Sequence, residues 1–80
     1  LNYLVCRNND LRALPEEIGR LSSLTVLDLG SNQLLTLPKE IGQLENLGIL
    51  VLENNRLTEL PEEISALKHL TKLRLKNNPL

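Results

Sequence analysis

Few side chains in this sequence can do covalent or acid–base chemistry. There is one histidine, His69, and one cysteine, Cys6. A lone thiol becomes a nucleophile only when a base or a positive charge lowers its pKa, and the repeat layout puts no histidine near Cys6. The best acid–base pair is Asp28 and Glu53. If they sit on adjacent parallel strands and two residues apart along them, their Cα atoms are roughly 8 Å apart, from strand spacing and rise. Two carboxylates at such a separation can act as acid and base, but no residues around them suggest a pocket that would shift a pKa. No metal-ligand spacing, phosphate-binding loop or nucleophile motif occurs. The sequence therefore implies no catalytic residue, no metal, no cofactor and no small-molecule ligand.

Composition narrows the classes further. Nine basic residues face ten acidic ones, for a net charge of −1. That leaves no general positive field for nucleic acid. One cysteine cannot form an internal disulfide. Apolar runs are too short to span a membrane. Leucine fills 22 of 80 positions while Tyr3 is the only aromatic residue. A core without rings needs many copies of one aliphatic side chain, which points to a repeat.

The repeat is explicit. Asn9, Asn32, Asn55 and Asn78 each precede x-Leu and stand 23 residues apart. The same shift aligns Leu1, Leu24, Leu47 and Leu70, then Leu4, Leu27, Leu50 and Leu73. It aligns Cys6 with Leu29, Leu52 and Leu75, and Leu11 with Leu34, Leu57 and Leu80. Leu-Pro pairs at Pro15, Pro38 and Pro61, isoleucines at Ile18, Ile41 and Ile64, and leucines at Leu21, Leu44 and Leu67 complete the unit. The whole chain is one domain, residues 1–80, with units 1–23, 24–46, 47–69 and a partial fourth, 70–80. It begins in mid-pattern, which suggests a segment of a longer protein.

The L-x-x-L-x-L-x-x-N-x-L pattern is identified as a leucine-rich repeat. The fold expected is an α/β solenoid, a right-handed β-α superhelix with a parallel concave sheet and short convex helices. The alternating Leu positions make a strand with leucines inward. The asparagines should form a ladder of satisfied buried amides. Each proline should start a short helix, whose first turn carries carboxylates that suit its dipole. Gly19, Gly42 and Ser65 are expected to let that helix end loosely. Cys6, in a core leucine column, is expected to be a buried and inert thiol. His69 falls in a loop column.

The 23-residue unit with "LPEEIG", "LPKEIG" and "LPEEIS" resembles the repeats of Ras-pathway scaffolds, plant Ras-group-related proteins, Roco-family GTPases and yeast-type adenylyl cyclase. It is also similar to arrays from bacterial pathogens such as leptospires. The resemblance implies a protein-binding solenoid, often with a small GTPase or a phosphatase as partner, in intracellular signalling.

Function must lie in the positions that the repeat leaves free. The third, fifth and seventh places of each unit point to the concave face. They read Tyr3, Val26, Ile49, Lys72, then Val5, Asp28, Val51, Arg74, then Arg7, Gly30, Glu53, Lys76. Tyr3, Val5, Val26, Ile49 and Val51 form an apolar patch, a candidate interface, although β-branched residues also suit strands. Lys72, Arg74 and Lys76 make a basic strand, with Lys68 nearby. It suits an acidic partner, or it is a solvated edge on which Glu53 pairs with Lys76. The candidate partner-binding set is therefore Tyr3, Val5, Arg7, Val26, Asp28, Ile49, Val51, Glu53, Lys72, Arg74 and Lys76. Four cations without interleaved aromatics do not suggest nucleic acid. The convex acids Glu16, Glu17, Glu40, Glu59, Glu62 and Glu63 suit helix dipoles and solubility. Leu35 is a minor contact candidate on the flank.

Three functions fit. The first is a non-catalytic module that binds a protein through the concave face. The second is a structural spacer within a longer array, consistent with units free of insertions. The third is a regulatory segment of a multidomain enzyme, such as a GTPase or cyclase, or of a bacterial effector. The single free cysteine and the absence of an N-x-S/T site suit the cytoplasm, with a bacterial surface or secreted location as the alternative.

Overall fold

The computed structural model describes all 80 residues. Four three-residue strands, β1 (Tyr3–Val5), β2 (Val26–Asp28), β3 (Ile49–Val51) and β4 (Lys72–Arg74), form one parallel sheet in chain order. The register follows the repeat: Leu4 faces Leu27, Leu27 faces Leu50, and Leu50 faces Leu73. Parallel neighbours need a crossover connection. Here each crossover is the rest of the unit, and it carries a 3-10 helix at Glu16–Arg20, Lys39–Gln43 or Glu62–Ala66. The result is a leucine-rich repeat solenoid, with the sheet on one side and the short helices on the other.

Proline sets where each helix begins. Pro15, Pro38 and Pro61 are extended, with φ of −72°, −70° and −66°, and none of the three donates an N–H. Their carbonyls accept the first helical bonds, from Ile18, Ile41 and Ile64, each at 3.1 Å. Five residues are too few to sustain an α-helix. The 3-10 form also rises about 2.0 Å per residue rather than 1.5 Å, so five residues cover more of the convex side.

The core is made almost entirely by the middle of the stack. Leu24, Leu27, Leu29, Leu34, Ile41, Leu44, Leu47, Leu50, Leu52 and Leu57 are fully buried. Full burial of such a side chain contributes about 1.5–3 kcal/mol relative to exposure. In the outer units the same columns are only partly covered: Leu4, Cys6 and Leu11 at one end, Leu70, Leu73 and Leu75 at the other. A repeat contacts only its neighbours, so an outer strand has one packing partner where an inner strand has two. For this reason Cys6 is half-buried rather than sealed in the core.

The asparagine ladder ties each unit to the one before it. The Asn55 side-chain amide donates to its own Leu52 carbonyl at 2.9 Å and to the Leu29 carbonyl of the preceding unit at 3.0 Å. Its Oδ1 accepts the Leu34 N–H at 3.1 Å. Asn32 repeats this with Leu29, Cys6 and Leu11, and Asn78 with Leu75, Leu52 and Leu57. Asn9, in the first of the described units, bonds only the Cys6 and Arg7 carbonyls. Burial follows the same order: Asn32 and Asn55 are buried, Asn78 is half-buried and Asn9 is exposed, so the expected buried ladder holds only for the inner pair.

The glycines do not loosen the helix ends. A Cβ on Gly42 would lie 2.7 Å from the Glu63 carbonyl oxygen, and one on Gly19 would lie 2.8 Å from that of Glu40. These are contacts between consecutive 3-10 helices, so glycine is what lets the helices stack this closely. Ser65, at the same place in the third unit, is exposed and turns its hydroxyl back to the Glu62 carbonyl at 2.8 Å.

Candidate functional site

The strands place the third and fifth residues of each unit on the concave face, and the chain then turns out of the sheet. That turn needs a left-handed residue at the eighth place. Asn8, Ser31, Asn54 and Asn77 have φ of 62°, 55°, 59° and 61°. Asparagine tolerates this region better than most residues, which accounts for three of the four. Asn77 donates to the Asn54 side chain at 2.8 Å, so these exposed asparagines also bond from unit to unit. The Asn-Asn doublets at Asn8-Asn9, Asn54-Asn55 and Asn77-Asn78 signal this turn column in the sequence.

The concave patch is uneven. Tyr3 and Val5 are 66% and 63% exposed. Val26 and Ile49, in register with Tyr3, are half-buried. Val51 is only 8% exposed, between Asp28 and Arg74 in register, so it forms the floor of the face rather than a projecting contact. Lys72, Arg74 and Lys76 are exposed. Leu35 is exposed as well, outside the strands.

Arg7 joins three units. Its Nε donates to Asp28 Oδ2 at 3.0 Å, and its Nη2 reaches Glu53 Oε1 at 3.4 Å. Asp28 is fixed in turn, because its Oδ1 accepts the Gly30 N–H at 3.0 Å. The hydrogen bond to Asp28 and the charge of that carboxylate hold the Arg7 guanidinium above its usual pKa, with a smaller contribution from Glu53. The arrangement depends on Gly30. A Cβ there would sit 2.7 Å from Arg7 Nη2, so the missing side chain is the space through which Arg7 crosses the second unit to reach the third. The edge pair between Glu53 and Lys76 does not form, because Glu53 is taken by Arg7. The sequence signal was present: glycine stands at a seventh place that is otherwise Arg7, Glu53 and Lys76.

Asp28 and Glu53 therefore have a cation between them rather than a space for substrate. The open depression in the molecule, about 270 Å³, lies elsewhere and is lined by Glu45, Asn46, Ala66, Lys68 and His69. His69 is exposed in a turn. No three His, Cys, Asp or Glu side chains converge as metal ligands. No helix is long and apolar enough to cross a membrane.

A parallel sheet with stacked leucines, an asparagine ladder and a 23-residue register defines a leucine-rich repeat, and the family model described as a leucine-rich repeat region matches residues 1–78. The chain belongs to that family. Among solved structures it is similar to a Leptospira interrogans LRR protein, with 52% identity and a TM-score of 0.96, over 98% of this chain and 20% of that one. It is also similar to a chain of the Toll–Spatzle complex of Drosophila, with 39% identity and a TM-score of 0.84, over 98% of this chain and 11% of that one. The chain thus spans a fifth or less of the length of either neighbour. No curated protein matches it.

Proposed function

We propose that this chain is a non-catalytic module that binds a protein partner through its concave sheet. One observation carries the reading. In the inner units the repeat-fixed side chains are committed to the core or to the asparagine ladder, and the concave row is a continuous surface whose residues differ from unit to unit. On it the half-open Val26 and Ile49 lie between exposed Tyr3 and exposed Lys72. Apolar side chains rimmed by charge suit an interface, and an exposed tyrosine has the area to serve as an anchor. Leucine-rich repeats generally serve protein interaction, and the Toll–Spatzle neighbour is itself part of a protein complex. A small GTPase or a phosphatase, in intracellular signalling, is the partner class that the sequence resemblance implies.

A spacer role is the second reading. It is favoured by the unbroken register of the four strands, with no insertion to mark a specialised unit. Affinity capture with the wild type beside a Val26→Glu/Ile49→Glu variant separates the two. Both side chains point away from the core, so the variant should keep its circular dichroism spectrum. A partner lost by the folded variant supports the binding module. A partner held equally by both would leave these units as a spacer.

A further inference from the structure

We propose that Lys72 and Arg74 of β4, with Lys76 two residues beyond the strand, dock an acidic, extended segment of the partner protein, with carboxylates at alternate positions. The inference rests on the concave-face reading and names the chemistry of what that face takes. The concave face holds four cations and two carboxylates: Arg7, Lys72, Arg74 and Lys76 against Asp28 and Glu53. Both carboxylates are used by Arg7. Lys72, Arg74 and Lys76 are exposed and make no ion pair, so three positive charges face solvent without an internal counter-charge. Arg7 with Asp28 and Glu53 thus leaves one side of the face at a net charge of −1, and the three unpaired cations leave the other side at +3.

Spacing favours an extended ligand. Lys72 and Arg74 stand at alternate residues of β4, a step of about 6.6 Å, and Lys76 lies two residues further on, where the chain leaves the sheet. A partner segment in the same extended form repeats its side chains at the same step, so carboxylates two residues apart meet Lys72 and Arg74 in turn, with the flexible Lys76 side chain at the end of the run. Arg74 offers the paired geometry that a carboxylate takes best. Apolar side chains next to those acids would find Ile49, which is in register with Lys72, and Val26 beyond it. The helices on the opposite side carry Glu16, Glu17, Glu40, Glu62 and Glu63 against Arg20 and Lys39, a net negative charge that disfavours an acidic chain there. Nucleic acid fits less well. Tyr3 is three strands from Lys72, about 14 Å away, so no Phe, Tyr or Trp ring lies beside the cations for a base to stack on.

The test titrates the protein with a synthetic peptide of alternating Glu and Val, a matched peptide of alternating Lys and Val, and a poly-dT oligonucleotide, by calorimetry. A Lys72→Glu/Arg74→Glu/Lys76→Glu variant, with folding checked by circular dichroism, is titrated in parallel. Reversing three exposed charges together should weaken binding of the Glu-Val peptide by about tenfold or more. Raising the salt from about 0.01 M to about 1 M should weaken it similarly, since screening then acts within about 3 Å rather than 30 Å. The Lys-Val peptide should not bind. Equal affinity of the Glu-Val peptide for both proteins, no binding at all, or a tighter oligonucleotide would overturn the inference. Any of these, with capture still lost in Val26→Glu/Ile49→Glu, would remove the acidic partner and leave the binding face in place.

Discussion

Replacing Asn55 by alanine should destabilise the fold far more than the same change at Asn9, although both asparagines occupy the same place in the repeat. Asn55 is 7% exposed and holds groups from two units. Its removal does not free every partner. The Leu29 carbonyl keeps the Asn32 amide, and the Leu52 carbonyl keeps the Asn78 amide. The Leu34 N–H, however, has Asn55 Oδ1 as its acceptor, and Leu34 is fully buried. Leaving one buried donor unpaired costs about 1–3 kcal/mol, and the space left by the amide adds to this. A total near 2–4 kcal/mol is therefore expected for Asn55→Ala, a large part of the stability of a domain this small, roughly 4–12 kcal/mol. Asn9 is exposed and bonds only two carbonyls of its own turn, which water can solvate, so Asn9→Ala should cost about 1 kcal/mol or less.

Asn55→Asp sharpens the comparison. A carboxylate can still accept the Leu34 N–H, but its second oxygen would face the Leu29 and Leu52 carbonyls where the amide now donates. Burial and those carbonyls favour the protonated acid, so its folded pKa rises above the unfolded value of about 3.9. The protonated form restores one donor. The Asp variant should then be most stable below that unfolded value and lose stability as pH rises through the raised folded pKa. Urea unfolding followed by circular dichroism, at acidic and neutral pH, measures all three variants. If Asn55→Ala costs no more than Asn9→Ala, burial of the ladder is not what couples the units.

Two further substitutions test the backbone. Gly42→Ala should cost about 1–3 kcal/mol, as overpacking does, because its Cβ would meet Glu63 backbone at 2.7 Å; Gly48→Ala, whose nearest neighbour is 3.6 Å away, should stay within about 0.5 kcal/mol of wild type. Comparison of urea midpoints distinguishes them, and equal effects would mean the helices do not stack at this distance. Ser31→Gly should stabilise by up to about 1 kcal/mol, because serine at φ 55° carries a left-handed strain that glycine does not; a lower melting temperature would contradict this.

The sequence made the architecture legible because each repeat column carries one physical demand. Inward leucines at a period of two require a strand, and a proline after leucine requires a break and a new turn. Three features were harder to read. The 3-10 form of the convex helices depends on how much length five residues must cover. The role of Gly19 and Gly42 depends on the next unit, which a single unit's pattern does not display. The path of Arg7 to Glu53 crosses the intervening unit over Gly30, joining residues 46 apart in sequence that meet only when the strands are stacked. Register alone pairs nearest strands, and so it suggested Lys76 for Glu53. It also could not show that Val51, on the concave face by pattern, lies beneath its charged neighbours.

Whether a partner binds the free face of the sheet is read from the backbone amide resonances of the labelled protein while a captured partner is added. The largest shifts are expected on Val26, Asp28, Ile49, Lys72 and Arg74, with the convex residues Glu40 and Glu63 unmoved. Shifts concentrated on the 3-10 helices or around Leu35, with the strands silent, would contradict binding at that face.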